Sequence, residues 1–190
     1  MSMRDLIVRN RSYRRFHQDI VVGKQTLAEL VDLARLTASG NNLQSLKYLL
    51  SSDMHRNELI FPHLAWAGYL ADWPGPAPGE RPAAYIVILG DTTISHSSGY
   101  DCGIAIQSIL LGATEIGLGG CIIGSLQRQD LQQALVIPSH LEILLVVALG
   151  KPRESVQIEE VGPDGDIRYW RDEDGVHHVP KRSLAYIILG

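Results

Sequence analysis

The stretch GYDCGIAIQSILLGATEIGLGGCIIG, residues 99–124, constrains the fold more than any other part of the chain. It predicts one long apolar helix that stops at a glycine cluster and passes into a short apolar strand. On a helical projection Asp101, Ser108, Gly112 and Glu115 fall in a narrow stripe, while Cys102, Ile106, Ile109, Leu110, Ala113 and Ile116 cover a wider face. A helix apolar over most of its surface must be buried, and at about 16 residues it is shorter than the ~20 needed to span a bilayer. The small residues Gly103, Ala105 and Gly112 allow a second helix to approach closely, including one from another copy of the chain. Gly117, Gly119 and Gly120 end the helix, because glycine accepts the left-handed conformation without a Cβ clash. Cys121-Ile122-Ile123-Gly124 then brings bare backbone near a neighbour. Alone, this is either a helix stop with a tight turn or a surface against which a ligand lies flat on Ile123 and Gly124.

A chain of 190 residues is long enough to bury a sizeable core, and one domain spanning 1–190 is the expectation. The formal net charge of -4 gives no general attraction to nucleic acid or to an anionic membrane, so a small molecule or a protein is the expected partner. No leader precedes the first helix and no long apolar run occurs, which points to the cytoplasm. Cys102 and Cys121 flank the central helix, ~25 Å apart at 1.5 Å per residue, and read as small buried hydrophobes rather than a disulfide. The seven histidines show no metal-ligand spacing; His177 and His178 would point to opposite faces of a strand. No metal site is expected.

Along the chain, residues 3–9 predict a short helix leading into an extended stretch, Asn10 to Phe16, that holds Arg11, Arg14 and Arg15. This is a solvated basic loop or an anion site, since guanidinium forks suit phosphate. Thr26 to Ala38 predicts an amphipathic helix, with Leu27, Leu30, Val31 and Ala34 at helical spacing and a capping box from Thr26 and Glu29. The polar turn Thr37 to Ser45 offers Asn and Gln donors and acceptors of the kind that recognise the edge of a heterocycle. Two short helices broken by Pro62 are expected in Met54 to Trp73, with Trp66, Tyr69 and Trp73 as core or as a lid. A Pro/Gly loop then precedes a strand at Ala84 to Leu89. Gln129 to Leu135 predicts a helix, and Leu141 to Leu149 a strand buried on both faces. Asp164-Gly165 and Asp174-Gly175 bracket a strand and hairpin turn. An apolar strand, Leu184 to Leu189, closes the chain. Strands and helices mix without strict alternation, which predicts an α+β fold with a central sheet.

The basic clusters Arg11/Arg14/Arg15 and Lys181/Arg182 make a phosphate site if the fold brings them together. Neither belongs to a P-loop, no dinucleotide-binding GxGxxG stands between a strand and a helix, and no GxSxG elbow occurs. A phosphate anchor, an amide-rich edge and a glycine-lined backbone with no nucleophile suit a bound cofactor that carries the chemistry.

The ordered series RSYRRF, ASGNNLQSLKY, GERPAAYIVILGD, YDCGIAIQSILLGA, GLGGCIIG, VVALGKP and VPKRSL resembles the FMN-dependent nitroreductase family over nearly the whole chain. That resemblance implies an α+β fold, with a central mixed or antiparallel sheet surrounded by helices, that works as an intertwined homodimer with FMN at the subunit interface. It also implies that Arg11 and Ser12 contact the phosphoribityl chain, that Arg14 sits by the flavin pyrimidine, and that Lys181 and Arg182 hold the phosphate. Ser39, Gly40, Asn42 and Gln44 would reach the other subunit's flavin, and the backbone of Ile123 and Gly124 would face N5. Asn10, Ala38 and Ser45 depart from the arginine and prolines usual in the family. The implied activity is ping-pong hydride transfer from NADH or NADPH through FMN to a flat acceptor such as a nitroaromatic or quinone, with no catalytic side chain required. Enoate reduction or dehalogenation is an alternative within the family, and a flavin-binding or flavin-sensing homodimer with little turnover is one outside catalysis.

Overall fold

The computed structural model describes residues 1–96 and 99–189. Helix α1 (Met3–Arg9) leads through the short strand β1 (Phe16–His17) to α2 (Lys24–Arg35), β2 (Leu46–Ser51), α3 (Met54–Ile60) and β3 (Ala84–Asp91). The long helix α4 (Gly99–Glu115) then runs into β4 (Gly119–Ile123), followed by α5 (Arg128–Ala134) and β5 (Leu141–Pro152). β6 (Val156–Glu160), β7 (Trp170–Arg171), β8 (His177–Lys181) and α6 (Leu184–Ile187) complete the chain.

β5 is the axis of the larger sheet. It pairs antiparallel with β3 on one side and with β4 on the other, β1 pairs antiparallel with its end, and β2 closes the far edge against β3. Every residue of β3, AYIVILGD, is buried because strands flank it and both its faces are covered. On one face Ile86, Ile88 and Val147 pack against Leu27 and Leu30 of α2 and Ile106 and Ile109 of α4. On the other, Tyr85, Val87, Ile123 and Val146 pack against Ile60, Trp66 and Leu131. Each fully buried aliphatic chain of this kind contributes about 1.5–3 kcal/mol, so α4 is held chiefly by its apolar face. A smaller sheet places β8 between parallel β6 and antiparallel β7. The fold is α+β with a largely antiparallel sheet, as the sequence predicts. No described helix is long and apolar enough to cross a membrane.

Several local expectations are corrected. α2 begins at Lys24 behind Gly23, whose position makes no side-chain cap, so the Thr26/Glu29 capping box does not form. Ile116 lies beyond the end of α4 and is 56% exposed, whereas Gly112, assigned to the polar stripe, is buried under Leu30 and Leu33 of α2. Gly112 therefore admits a helix of its own chain. Gly103, by contrast, has open space beside it. Pro62 lies within a single 3₁₀ turn, Phe61–His63, that follows α3, and no second α-helix forms between it and Trp73 among the described residues. β5 is fully buried only over its later part, because β4 covers it from Val146 to Gly150 and leaves the start on an edge. Leu184 to Leu189 does not form a strand: without a neighbouring strand to supply hydrogen bonds it coils into α6, with Leu184 70% and Leu189 94% exposed.

Glycine is required at position 120 by close approach rather than by conformation. A Cβ there would lie 2.6 Å from the Ala148 carbonyl oxygen and 2.7 Å from Leu110 Cδ2. The first is backbone of the paired strand and cannot move aside. Gly120→Ala is expected to cost about 1–3 kcal/mol, read as a lower urea midpoint with unchanged slope.

Candidate functional site

Residues 10–13 lie along the outer edge of β4. Ser12 bridges to Gly120 in parallel sense, and the Tyr13 N–H donates to the Gly120 carbonyl at 3.0 Å. This places the basic stretch beside the glycine-rich strand, and β8 comes up against both. Between them is a cavity of about 300 Å³ with Arg11, Ser12, Arg14, Gln107, His177 and Lys181 on its polar wall. Gly120 and Ile122 supply the sheet side, and among the described residues no carboxylate lines the cavity.

The three cations come from opposite ends of the chain, and their neighbours hold them differently. Arg11 Nη2 donates to the Ile7 carbonyl at 2.7 Å, and its Nε is buried without a partner among the described residues. Arg14 Nη1 donates to the Ser12 carbonyl at 3.2 Å and lies 3.1 Å from His177 Nε2, with the guanidinium 4.8 Å from the Tyr169 ring centre. A guanidinium only donates, so His177 Nε2 accepts and Nδ1 carries the proton. That Nδ1 is buried and lacks a partner among the described residues. Burial, reinforced by Arg14 and Arg171, pushes the His177 pKa down to about 4, so the imidazole is neutral at neutral pH.

Glu154, whose side chain is 1% exposed, organises this arrangement. Its Oε1 accepts the Arg14 N–H and, at 3.1 Å, the Arg15 N–H, while its Oε2 accepts from Arg171 Nη2 at 2.9 Å. Arg15 itself turns away: its Nε donates to Glu80 at 2.9 Å, and hydrogen bonding to that carboxylate raises the Arg15 pKa.

The other predicted residues fall elsewhere. Arg182 is outside the cavity lining, with its guanidinium 5.1 Å from the Tyr186 ring centre. The Ile123 side chain is buried in the opposite face of the sheet, and the Gly124 carbonyl accepts from Arg128 Nη2 at 3.0 Å. Ser39, Gly40, Asn42 and Gln44 form a separate group at the start of α4, where Ser39 Oγ donates to Asp101 at 2.6 Å and the Gly40 N–H donates to it at 3.0 Å. Gln44 N–H donates to Ser39 Oγ at 3.0 Å. This turn is strained: Asn41, Asn42 and Gln44 have φ of 51°, 56° and 52°, a region that asparagine tolerates and glutamine rarely enters. Ser39 and Gln44 line a second, smaller cavity together with Tyr48 and Asp101. Sequence inspection did not single out Glu154, Gln107 or Tyr169. Among the described residues no cluster suits a metal ion, and both cysteines are free and buried.

An α+β sheet protein with a cation-lined cavity at a glycine-rich edge strand defines the class. The nitroreductase family profile matches residues 7–151, most of the chain, and the protein belongs to the nitroreductase family. A protein of Methanothermobacter thermautotrophicus, provisionally named NADH dehydrogenase/NAD(P)H nitroreductase, is 25% identical over 162 residues, which is 82% of this chain and 80% of that one. Among solved structures, an FMN-dependent nitroreductase of Clostridium difficile shares 21% identity with a TM-score of 0.65, covering 80% of this chain and 89% of its own. A nitroreductase family protein of Clostridium novyi, at 20% identity and TM-score 0.65, covers 97% and 98%. The structural likenesses establish the fold.

The depressed His177 pKa sets a pH dependence. The unfolded chain takes up the proton near the ordinary value of ~6.5, whereas the folded protein does so only near about 4. Between those values the unfolded state binds more protons, so His177 makes stability fall on acidification through this window. His177→Gln is expected to flatten that decline, as measured by chemical denaturation at a series of pH values from neutral to 4.

Proposed function

We propose that this protein is a cytoplasmic FMN-dependent oxidoreductase that passes a hydride from NADH or NADPH to a flat acceptor such as a nitroaromatic or a quinone. The observation that carries the proposal is the cavity beside β4, which among the described residues is lined by three cations and no carboxylate. Its unpartnered Arg11 Nε and His177 Nδ1 are buried donors awaiting acceptors, and an anionic, oxygen-rich cofactor provides them. The cavity therefore fits FMN. Bound there, FMN supplies the hydride relay between nicotinamide and acceptor.

The side chains bind and orient. Arg11, Ser12 and Lys181 serve the phosphoribityl end, with Arg182 as an outer cation for the phosphate. Arg14, held by Ser12 and His177, offers a fixed positive charge to the ring, where negative charge gathers on reduction. The backbone of Ile123 and Gly124 borders the reactive edge. Ser39, Gly40, Asn42 and Gln44 lie apart from the cavity in the single chain, so they act on the cofactor of a second copy. The working form is a homodimer of single domains spanning 1–190. Open space beside Gly103 and the exposure of Ile104 on the same helix support a partner there. Tyr69 packs on Tyr169 with ring centres 4.9 Å apart, and Tyr169 in turn packs on His177, which makes an aromatic shelf for the acceptor at the cavity's rim. Two free, buried thiols agree with a reducing compartment.

Purified protein is expected to be yellow, or to become so with added FMN, and to bleach anaerobically with NADH or NADPH. A preparation that stays colourless with FMN rules the proposal out, and a flavin that neither nicotinamide bleaches rules out the hydride transfer. Lys181→Ala is expected to weaken FMN binding about tenfold or more through loss of a charge-assisted contact, measured by flavin fluorescence titration.

A further inference from the structure

A third cavity, of about 190 Å³, lies between α3, the end of β2 and the start of β3. The strand register puts it on the other side of the sheet from the proposed flavin cavity. Ile122 pairs with Val147 and Val147 with Ile86, so these three share the face that carries α4. Tyr85 pairs with Ala148 and Ala148 with Cys121, and these share the opposite face.

Part of the lining is already committed to the fold. Asn57 Oδ1 accepts from Ser51 Oγ at 2.7 Å and its Nδ2 donates to the Ala83 carbonyl at 2.8 Å. Gln18 Oε1 accepts the Gly79 N–H at 2.7 Å and the Arg81 N–H at 3.3 Å. These bonds fix the walls and leave one donor group unspent. The Arg81 guanidinium lies over the Phe61 ring, 4.0 Å from its centre; its Nε is buried without a partner, and it forms no ion pair among the described residues. Tyr85 is 1% exposed and lines the same cavity. Burial pushes the Tyr85 pKa up, so the phenol remains a donor at neutral pH. A buried donor such as Arg81 Nε is costly without an acceptor, and a carboxylate that satisfies it can also accept from the Tyr85 hydroxyl in the same lining.

The geometry points to a binding site for a small monocarboxylate at this cavity, its anionic end on Arg81 and Tyr85 and its apolar body against Phe61, Met54 and Pro82. Glu58, the one acidic residue in the lining, repels a second carboxylate and so sets the preference for a monoanion. The volume admits about six heavy atoms at the ~30 Å³ share of a water molecule, the size of butyrate. The site does not depend on the flavin proposal, because it uses none of the same residues and stands on the opposite face.

The test is a titration of the full-length ¹⁵N-labelled protein, following the Arg81 Nε–H resonance by NMR. Butyrate is expected to shift this resonance saturably in the millimolar range. Butyramide, the neutral analogue, and succinate, the dianion, are each expected to bind about tenfold more weakly or worse. Arg81→Gln, followed through backbone amides lining the cavity, should lose about tenfold in butyrate affinity while retaining FMN as the parent does; Tyr85→Phe should lose about threefold or more. The inference is overturned if butyrate gives no saturable shift, if butyramide binds as tightly as butyrate, or if Arg81→Gln binds butyrate unchanged. Should Arg81→Gln fail to fold, Tyr85→Phe, which removes only a hydroxyl, decides in its place: unchanged butyrate affinity overturns the inference.

Discussion

The carboxylate of Glu154 is the constraint on which the rest of the site depends. A buried carboxylate must be paired, since its desolvation otherwise costs several kcal/mol. Here it receives two consecutive backbone N–H groups, from Arg14 and Arg15, and one guanidinium, from Arg171. The first two fix the N-terminal stretch against the turn after β5, and the third ties β7 to it. Three segments remote in sequence are thus locked by one side chain. Because successive residues of an extended stretch point to opposite sides, fixing this backbone sends Arg14 toward the cavity and Arg15 toward Glu80. Of the three arginines that look like one cluster in sequence, Arg11 and Arg14 therefore line the cavity and Arg15 does not.

Helix α4 supports the second half of the proposed machinery. Its first turn presents Asp101, which holds Ser39 and Gly40 and so stabilises a turn with three non-glycine residues in the left-handed region. Such strain persists only where surrounding bonds over-determine it. Two turns further along, Gln107 reaches the cation-lined cavity, while Ala105, Ile106 and Ile109 between and beyond them anchor the helix in the core. The buried face of α4 sets the position, and the polar residues at its margins inherit it.

What was legible in the sequence follows from which signals are local. The apolar periodicity of 99–115 and the apolar runs of β3 and β5 specify these elements irrespective of partner, and the elements are present, although β5 is fully buried only where β4 covers it. The capping box and the closing strand failed because each needs information that is not local. Thr26 sits inside α2 rather than ahead of it, and the run from Leu184 has no strand to pair with. In the cavity, Arg11, Arg14 and Lys181 were visible as clustered charge. Glu154 was not, because its partners Arg14 and Arg15 lie 140 and 139 residues away and nothing near it marks it as buried. His177 appeared only as half of a strand pair, since a neutral imidazole and a charged one look alike in sequence.

Six arginines contrast by whether a carboxylate faces them, although Arg171, which has one, also keeps a buried Nε without a partner. Arg15, Arg168 and Arg171 each face a carboxylate, at Glu80, Asp166 and Glu154. Arg11, Arg14 and Arg81 have none among the described residues, although the chain carries more acidic than basic side chains. Acidic partners are thus not scarce: none of the described residues lining the Arg11 and Arg14 cavity is acidic, and Glu58, in the lining of the Arg81 cavity, makes no ion pair with Arg81. Arg11 and Arg81 each keep a buried Nε without an acceptor, and leaving such a donor dry costs about 1–3 kcal/mol unless a ligand supplies the missing oxygen. An unpaired guanidinium at a cavity wall is therefore more informative than a paired one. On the two proposals, these cavities, on opposite faces of one sheet, are where the protein receives anions.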